Sequence, residues 1–367
     1  MTRSSFRFSQ PAILALSVLV AAGCNNAGEN ADTDGRSAQA SRSDSVAKGQ
    51  VPMVTHIYTA DPSAHVFDGK IYVYPSHDFE AGIPENDLGD HFGMKDYHIL
   101  SMDSVGGDVK DNGVALDIKD VPWAGRQMWA PDAAFANGKY YLYFPAKDKS
   151  DIFRIGVATS TSPTGPFTAE AKPIDGSYSI DPAVFKDDNG EYYMYFGGIW
   201  GGQLQRWTGG KYNPKDVYPD STQPAINARV AKMNSDMLSF AEAPREVQLL
   251  DKEGKPLLAK DNSRRFFEAA WVHKYNGKYY FSYSTGDTHF ICYAIGDNPY
   301  GPFTYEGVIL EPVVGWTNHH SIVEVNGKWY LFFHDSQLSG GKTHLRAAKV
   351  MELKYNPDGT IVTMKAP

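Results

Sequence analysis

Cysteine and positive charge are both scarce in this sequence, and each shortage excludes a class of protein. Two cysteines, Cys24 and Cys292, occur in 367 residues, which excludes a fold held together by several disulfides. The formal net charge is −8, which disfavours nucleic acid or another polyanion as a partner. Apolar residues make up 42% of the chain, enough for a large core, and aromatic residues make up 13%.

The N-terminus has the pattern of an export signal. Arg3 and Arg7 precede an apolar run over residues 12–23, which is too short for a comfortable membrane span. The run ends in small residues before Cys24 and resembles a bacterial lipoprotein signal, although Ala21 stands where that signal usually has leucine. Residues 1–23 are therefore predicted to be a signal peptide, followed by lipidation of Cys24 or by ordinary secretory cleavage nearby.

Either form of processing takes the protein out of the cytoplasm. A lipidated chain is expected in the cell envelope, in the periplasm or at the outer membrane, and an unlipidated chain is expected to be secreted. Residues 24–50 contain almost no large apolar side chains and are predicted to be a flexible tether. Residues 51–367 are predicted to form one folded domain, in which Cys292 is a small buried apolar residue.

One phrase occurs five times after residue 51. Each copy has Asn-Gly or Asp-Gly, then Lys or Glu, then a strand of alternating aromatic residues; the glycines are Gly69, Gly138, Gly190, Gly277 and Gly327. Such turns predict β-hairpins, because a type I′ turn needs positive φ. Five hairpins about fifty residues apart or more predict an all-β fold, a five-bladed β-propeller. A large β-sandwich or jelly roll is the alternative.

The strand before the turn begins with an ionisable residue in four of the five copies. Asp61, Asp181, Glu268 and His319 stand eight or nine residues before the turn glycine. If the first strand of each hairpin is the innermost one, these side chains converge on the propeller axis. Carboxyl groups that converge take different pKa values, so that one stays protonated while another stays ionised. Hydrolysis of a glycosidic bond needs that pair.

These carboxylates also have purely structural interpretations. Asp61 and Asp181 both precede proline, and Asp-Pro commonly starts a turn. Glu268 could be a buried carboxylate paired with Arg264 or Arg265, and the histidine of the fifth copy could form hydrogen bonds in the core. The shared position favours the catalytic interpretation, because the structural one requires four independent coincidences.

Taken together, these motifs resemble glycoside hydrolase family 43. The similarity extends from about residue 55 to residue 365 and rests on ADPS, MWAPD, SIDPAVF, FFEAAWVHKYNGKYYFSYS and NHHSIVEVNGKWYLFFHD. The resemblance implies a five-bladed propeller that hydrolyses glycosides with inversion. It implies Asp61 as general base, Glu268 as general acid and Asp181 as the third carboxylate, which orients the acid and tunes its pKa.

The resemblance also implies residues that surround the sugar. Trp129 would wall the sugar subsite, Arg346 would reach the bound pentose, and His77 would line the same pocket; a core position for Trp129 and a surface salt bridge for Arg346 are the alternatives. His319 would contact a central calcium ion or a water cluster. A single imidazole is a weak calcium ligand, so no cofactor is expected to be required and a structural calcium is only possible.

The function expected from the resemblance is exo-hydrolysis of terminal β-xylosyl or α-L-arabinofuranosyl residues from xylan or arabinoxylan oligosaccharides. The alternatives are an endo-arabinanase of the same family and a propeller that binds carbohydrate without catalysis. Residues 78–98 and 199–265 are expected to wall a closed pocket, which favours the exo enzyme. The expected partner is an oligosaccharide, with no nucleic acid, and with a membrane only through the lipid anchor.

Overall fold

The computed structural model describes residues 31–367, with side chains from residue 37 onward. The predicted signal peptide over residues 1–23 and the predicted lipidation of Cys24 lie outside these residues. The chain divides into two units, Met1–Gln39 and Ala40–Pro367, and the second unit contains all the strands described here. Within residues 31–367, no helix has the length and apolar character needed to cross a membrane.

A helix occupies much of the segment that was predicted to be a flexible tether. Helix α1 (Ala31–Ala47) covers most of residues 24–50, a regular element that the tether prediction did not include. The hydrogen bonds of a helix join residues that are close in the chain, so a segment with few apolar side chains can still form one. Near the end of α1, Val46 is 3% exposed and packs in an apolar cluster with Val350 and Leu100.

The first two blades of the propeller take up residues 58–169. Blade 1 is a sheet in the order β1-β2-β3-β4, with β1 (Tyr58–Phe67), β2 (Lys70–Asp78), β3 (Asp96–Met102) and β4 (Lys110–Asp117). Blade 2 is built around β7, which pairs with β5, β6 and β8, and its strands are β5 (Ala124–Arg126), β6 (Asp132–Ala136), β7 (Lys139–Asp148), β8 (Phe153–Ser160) and β9 (Thr168–Ala169).

Blade 3 contains a long excursion between its second and third strands. Its sheet has the order β10-β11-β14-β15, and a separate hairpin, β12-β13, lies within the excursion. The strands are β10 (Ala183–Lys186), β11 (Tyr192–Phe196), β12 (Trp207–Thr208), β13 (Lys211–Tyr212), β14 (Arg229–Lys232) and β15 (Arg245–Glu246).

The last two blades complete the ring. Blade 4 has the order β17-β18-β19-β20-β16, with β16 (Leu249–Leu250), β17 (Glu268–Tyr275), β18 (Lys278–Ser284), β19 (Ile291–Gly296) and β20 (Phe303–Leu310). Blade 5 has the order β21-β22-β23, with β21 (His320–Val325), β22 (Lys328–Asp335) and β23 (Ala347–Leu353).

The first strand of each repeated hairpin is the innermost strand of its blade. Strands β1, β6, β10, β17 and β21 contact one another in that order, and β21 contacts β1 again. This closed circle of contacts confirms the predicted five-bladed propeller and excludes an open sandwich. The starts of these five strands are therefore neighbours at one end of the axis.

The predicted turn chemistry holds in four of the five hairpins. Both central residues have positive φ at 68–69, 137–138, 276–277 and 326–327, as a type I′ turn requires. In the third hairpin only Gly190 has positive φ, and the loop is one residue longer, closed by a 2.8 Å hydrogen bond from Asp187 N to Glu191 O. That extra residue lengthens by one the distance in sequence between Asp181 and its turn glycine.

Apolar packing between blades and pairing at the N-terminus hold the ring closed. The buried side chains form clusters that span adjacent blades, such as Tyr97 of blade 1 with Phe144 of blade 2. The segment before β1 runs along the last blade, where Lys48 forms a bridge with Met351 and Met53 N donates to Ala348 O at 2.9 Å. Burial of apolar surface on both faces of each blade is the main stabilising contribution.

Candidate active site

A cavity of about 270 Å³ opens where the five innermost strands begin. Its volume lies near the lower end of the range for small-molecule sites. Six of the seven residues predicted for catalysis or substrate binding line it: Asp61, Trp129, Asp181, Glu268, His319 and Arg346. Residues distant in the chain thus meet in one pocket, as the propeller hypothesis required.

Backbone geometry places the carboxylates, but Glu268 does not occupy the same position as the two aspartates. Asp61 and Asp181 have φ of +49° and +56°, and in blade 4 the residue with this conformation is Ala269, at +60°. In blades 1 and 4 the strand register is interrupted here, between Ala60 and Ser63 and between Glu268 and Trp271. Asp181 stands nine residues before its turn glycine, rather than eight as Asp61 does, because its turn has an extra residue. Glu268 also stands nine residues before its turn glycine, but because it lies one residue earlier in its strand.

Asp61 is held in the ionised form by Arg346 and by the hydrogen-bond donors around it. Arg346 Nη1 lies 2.9 Å from Asp61 Oδ1, and Ser76 Oγ donates to Oδ2 at 2.7 Å. Burial is the largest single influence and would raise the pKa of Asp61, but Arg346 together with His334, His319 and Ser76 outweighs it, and the pKa is lowered to about 2. A carboxylate ionised at neutral pH can accept a proton from water.

Arg346 is fixed by a second aspartate that sequence reasoning missed. Its Nε donates to Asp78 Oδ2 and its Nη2 to Asp78 Oδ1, both at 2.8 Å, in a bidentate pair. Arg346 is 3% exposed, so the alternative of a surface salt bridge is wrong. In the sequence, Asp78 was marked as a site residue only by its position next to His77. The neighbouring residues do not indicate which of the two side chains faces the axis.

Glu268 faces the cavity without an ionic partner. Among the described residues its carboxylate makes no hydrogen bond or salt bridge, so pairing with the two neighbouring arginines is wrong; Arg264 pairs with Asp261 instead. Burial and then the negative charge of Asp61 raise the pKa of Glu268 to about 8, against the opposing effect of Arg346. The side chain is therefore protonated at neutral pH, the form that a general acid requires.

The apolar surroundings of Glu268 differ in part from those expected from its neighbours in sequence. Phe267 lines the cavity, whereas Phe266 is fully buried in the core and Trp271 donates to Ile322 O on the other side of the strand. Gly198 allows the approach of the chain opposite, because a Cβ there would lie 3.2 Å from the Cβ of Glu268. The surroundings of Glu268 thus combine the adjacent Phe267 with chain that is remote in sequence.

Asp181 connects Glu268 to the rest of the site. Its Oδ2 accepts a 2.9 Å hydrogen bond from the backbone N–H of Ala269, the residue after Glu268. Burial, followed by repulsion from Glu268 and Asp61, raises the pKa of Asp181 well above its usual range. Asp181 and Glu268 therefore hold protons as a coupled pair, because ionising both would place two unscreened charges close together.

His319 lies between the two aspartates, at the place where a calcium ion was predicted as possible. Its Nδ1 is 3.7 Å from Asp61 Oδ1 and 3.9 Å from Asp181 Oδ2. Burial lowers the pKa of His319 to about 4, so the ring is neutral at pH 7. One imidazole and two carboxylates supply only part of the six to eight ligands that calcium takes, and water molecules can supply the rest, so a structural calcium stays a prediction and we derive no catalytic step through a metal.

Trp129 satisfies both of its interpretations, because it walls the cavity and also packs in the core. It lines the cavity, its Nε1 donates to Phe92 O at 2.8 Å, and its ring lies 4.7 Å from that of Phe153. Trp200 and Trp316 also line the cavity, with ring centroids 5.4 Å apart, and neither was predicted from the sequence. Flat aromatic faces of this kind are suited to stacking on sugar rings.

His77 does not line the cavity, so its predicted role in substrate binding is wrong. Successive residues of a strand point to opposite faces, and Asp78 rather than His77 faces the axis. His77 Nδ1 instead lies 2.5 Å from Asp96 Oδ1, within blade 1.

The predicted walls of the pocket are partly confirmed. Residues 85–94, from the predicted segment 78–98, supply much of one wall. Of the predicted segment 199–265, only residues 199–202 line the cavity, and the rest forms β12 to β16 and their connections.

Comparison with known proteins gives consistent matches over nearly the whole propeller. The model of Glycosyl hydrolases family 43 matches residues 54–361. A protein named Xylosidase/arabinosidase from Bacteroides ovatus is 64% identical over 309 residues, 84% of this chain and 95% of that protein. A β-xylosidase/α-arabinofuranosidase from a compost microbial metagenome, solved with xylotriose in a calcium-free form, is 71% identical with a TM-score of 0.85, covering 86% and 97% of the two chains. A Xanthomonas citri enzyme solved with xylotriose is 56% identical with a TM-score of 0.83, covering 90% and 97%.

Proposed function

This chain belongs to glycosyl hydrolases family 43, and we propose that it removes terminal β-xylosyl or α-L-arabinofuranosyl residues from xylan and arabinoxylan oligosaccharides. The observation that carries the proposal is the pairing of an ionised Asp61 with a protonated Glu268 in one small cavity. The names of the relatives and the xylotriose held by two of the similar structures support the substrate class.

The proposed reaction is a single displacement. Asp61 takes a proton from a water molecule as that water attacks the anomeric carbon. At the same time Glu268 gives its proton to the departing glycosidic oxygen, so the proton lost by water and the proton gained by the leaving sugar balance. The released sugar has the inverted anomeric configuration, because water enters opposite to the leaving group.

The other charged residues position this pair. Arg346 keeps Asp61 ionised, and Asp78 keeps Arg346 in place. Asp181 holds the backbone after Glu268 and makes a second ionisation in the pair unfavourable. Removing a single donor or charge from a preorganised site of this kind typically costs about 10²–10³ in kcat.

Exo action is supported by the shape of the cavity. Residues 85–94 and 199–202 stand around it, and its small volume suits a terminal sugar better than the middle of a polymer. A purely binding propeller has no use for two buried carboxyls with opposed pKa shifts, and an endo enzyme needs an open groove. Neither alternative is favoured.

The test is hydrolysis of nitrophenyl β-xylopyranoside and nitrophenyl α-L-arabinofuranoside by the purified protein. Turnover of either substrate is expected, and proton NMR of the first product should show the inverted anomer. Turnover of neither substrate would refute the exo-glycosidase assignment, and a retained anomer would refute the single displacement.

We further propose that the enzyme is exported and anchored by a lipid on Cys24, with the lipoprotein-type signal over residues 1–23 as support. Labelled palmitate should enter the wild-type chain and should not enter Cys24→Ser. Equal labelling of the two chains, or membrane retention of the variant, would contradict the anchor.

A further inference from the structure

Blade 1 contains a cluster of imidazoles and carboxylates that has no part in the sugar site. The blade-1 cluster consists of His56, His77, Asp96, His98 and Asp111. The His77 and His98 rings are 4.6 Å apart, and His98 Nδ1 lies 3.0 Å from Asp111 Oδ1. His56 Nε2 lies 2.9 Å from Asp111 Oδ2. None of the five residues lines the catalytic cavity.

The strand register of blade 1 brings these side chains together on one face. The pairing of β2 with β3 runs up to Val73 and Leu100, and beyond it His77 Nδ1 lies 2.5 Å from Asp96 Oδ1, with His98 two residues further along β3 on the same side. The residues between them point to the other face, as shown by Tyr97, whose hydroxyl donates to Trp129 O. The cluster is therefore separated from the sugar cavity by the thickness of the blade.

Three of these residues offer ligand atoms to a common point. One atom each from His77, Asp96 and His98 lies within 4.8 Å of the others, the spacing of ligands around one ion. The side chains are 21%, 12% and 14% exposed, so they are shielded but accessible. Two imidazoles and a carboxylate suit zinc and the neighbouring first-row divalent ions, whereas magnesium and calcium prefer oxygen ligands.

We propose that His77, Asp96 and His98 bind a divalent transition-metal ion of the zinc type, at a structural site on blade 1. Asp111 holds one ring nitrogen of His98, as outer carboxylates do for metal-binding histidines, and leaves the other nitrogen for the ion. The ion ties β2 to β3, and Asp111 extends the connection to β4 and, through His56, to the segment before β1.

The site has a physical consequence for the blade that carries Asp61 and Asp78. An ion that binds the folded blade and not the unfolded chain stabilises the fold in proportion to the logarithm of its concentration. The expected effect is on thermal stability rather than on the sugar chemistry. This inference does not depend on the proposed function.

The test uses full-length protein without a histidine tag, treated with chelator and then titrated with Zn²⁺ by calorimetry and thermal unfolding. We expect one ion per chain, and a rise in Tm of about 3 °C or more at 100-fold excess over Kd. Binding should weaken by about tenfold or more in His77→Gln and in His98→Gln. Ca²⁺ and Mg²⁺ should give no comparable rise.

A matched control separates a metal site from ordinary histidine–carboxylate hydrogen bonds. His344 also faces a carboxylate, with its Nε2 3.2 Å from Glu80 Oε1, and His344→Gln should bind Zn²⁺ as the wild type does. Asp96→Asn, which keeps the shape of the side chain, covers the case in which a histidine variant fails to fold. Absence of Zn²⁺ binding by the wild type, or equal binding by folded cluster variants, would overturn the proposal.

Discussion

Arg346 of the last blade donates to Asp61 of the first, with Nη1 2.9 Å from Oδ1, although 285 positions separate them in the chain. The contact bridges the start and the end of the chain within the ring and determines the charge state of the proposed base. A buried carboxylate would otherwise be driven toward its protonated form. The function of the site thus depends on closure of the propeller.

Removing the charge of Arg346 should raise the pKa of Asp61. Arg346 is the largest influence opposing burial, so in Arg346→Met the acid limb of kcat/KM should move up from about 2 by at least about one pH unit. The measurement is the pH dependence of kcat/KM on a nitrophenyl glycoside. The control is Arg245→Met, which removes an arginine from an exposed pair with Glu242. If the acid limb lies at the same pH in the wild type and in both variants, the prediction is contradicted.

Glu268→Gln should lose activity in proportion to the need of the leaving group for a proton. With xylobiose, kcat should fall by about 10²–10⁴, whereas an activated dinitrophenyl xyloside should lose far less because its leaving group departs as an anion. Glu324→Gln, at an exposed position on β21, should retain both activities. Equal losses on the two substrates would count against Glu268 as the acid.

The basic limb of the pH profile should report Glu268 and should not depend on Asp181. The wild type should lose kcat/KM as the pH rises through about 8, where Glu268 gives up its proton. Asp181 is itself protonated at that pH, so Asp181→Asn removes no charge beside Glu268 and the limb should stay near 8, while kcat falls through altered positioning of the backbone after Glu268. A limb that moves by about one pH unit or more would show that Asp181 is ionised beside Glu268 and would contradict the prediction.

Glu268 should destabilise the fold increasingly as the pH rises. Its pKa is about 8 in the folded protein and near 4.5 when exposed, so the folded state binds more protons between these values and its stability falls across that window. Glu268→Gln removes this cost and should raise the free energy of unfolding by about 1–3 kcal/mol at pH 8, with no gain at pH 4. Thermal unfolding at both pH values, with Glu324→Gln alongside, measures it; a gain independent of pH would contradict the titration.

Much of the architecture was readable from local pattern. The Asn-Gly and Asp-Gly turns require positive φ, and the strands after them alternate, so five hairpins and their spacing followed from short stretches of chain. The third turn has three residues, Asp188, Asn189 and Gly190, where the other turns have two. Because Asp181 and Glu268 both stand nine residues before their turn glycines, the distance to the glycine did not reveal this difference. The helix Ala31–Ala47 was missed because low apolar content was taken as evidence against order.

The sequence by itself determined the turns, the strand alternation and the acidic residues at the strand starts, because each depends on backbone and side-chain preferences of a few neighbours. Only the tertiary structure decided that Asp78 rather than His77 faces the axis, and that Glu268 lies unpaired beside Phe267. Those outcomes depend on which face of a blade meets the ring and on burial by residues from other blades. Charge state follows from that burial, so packing rather than spacing determines which carboxyl is suited to be the acid and which is suited to be the base.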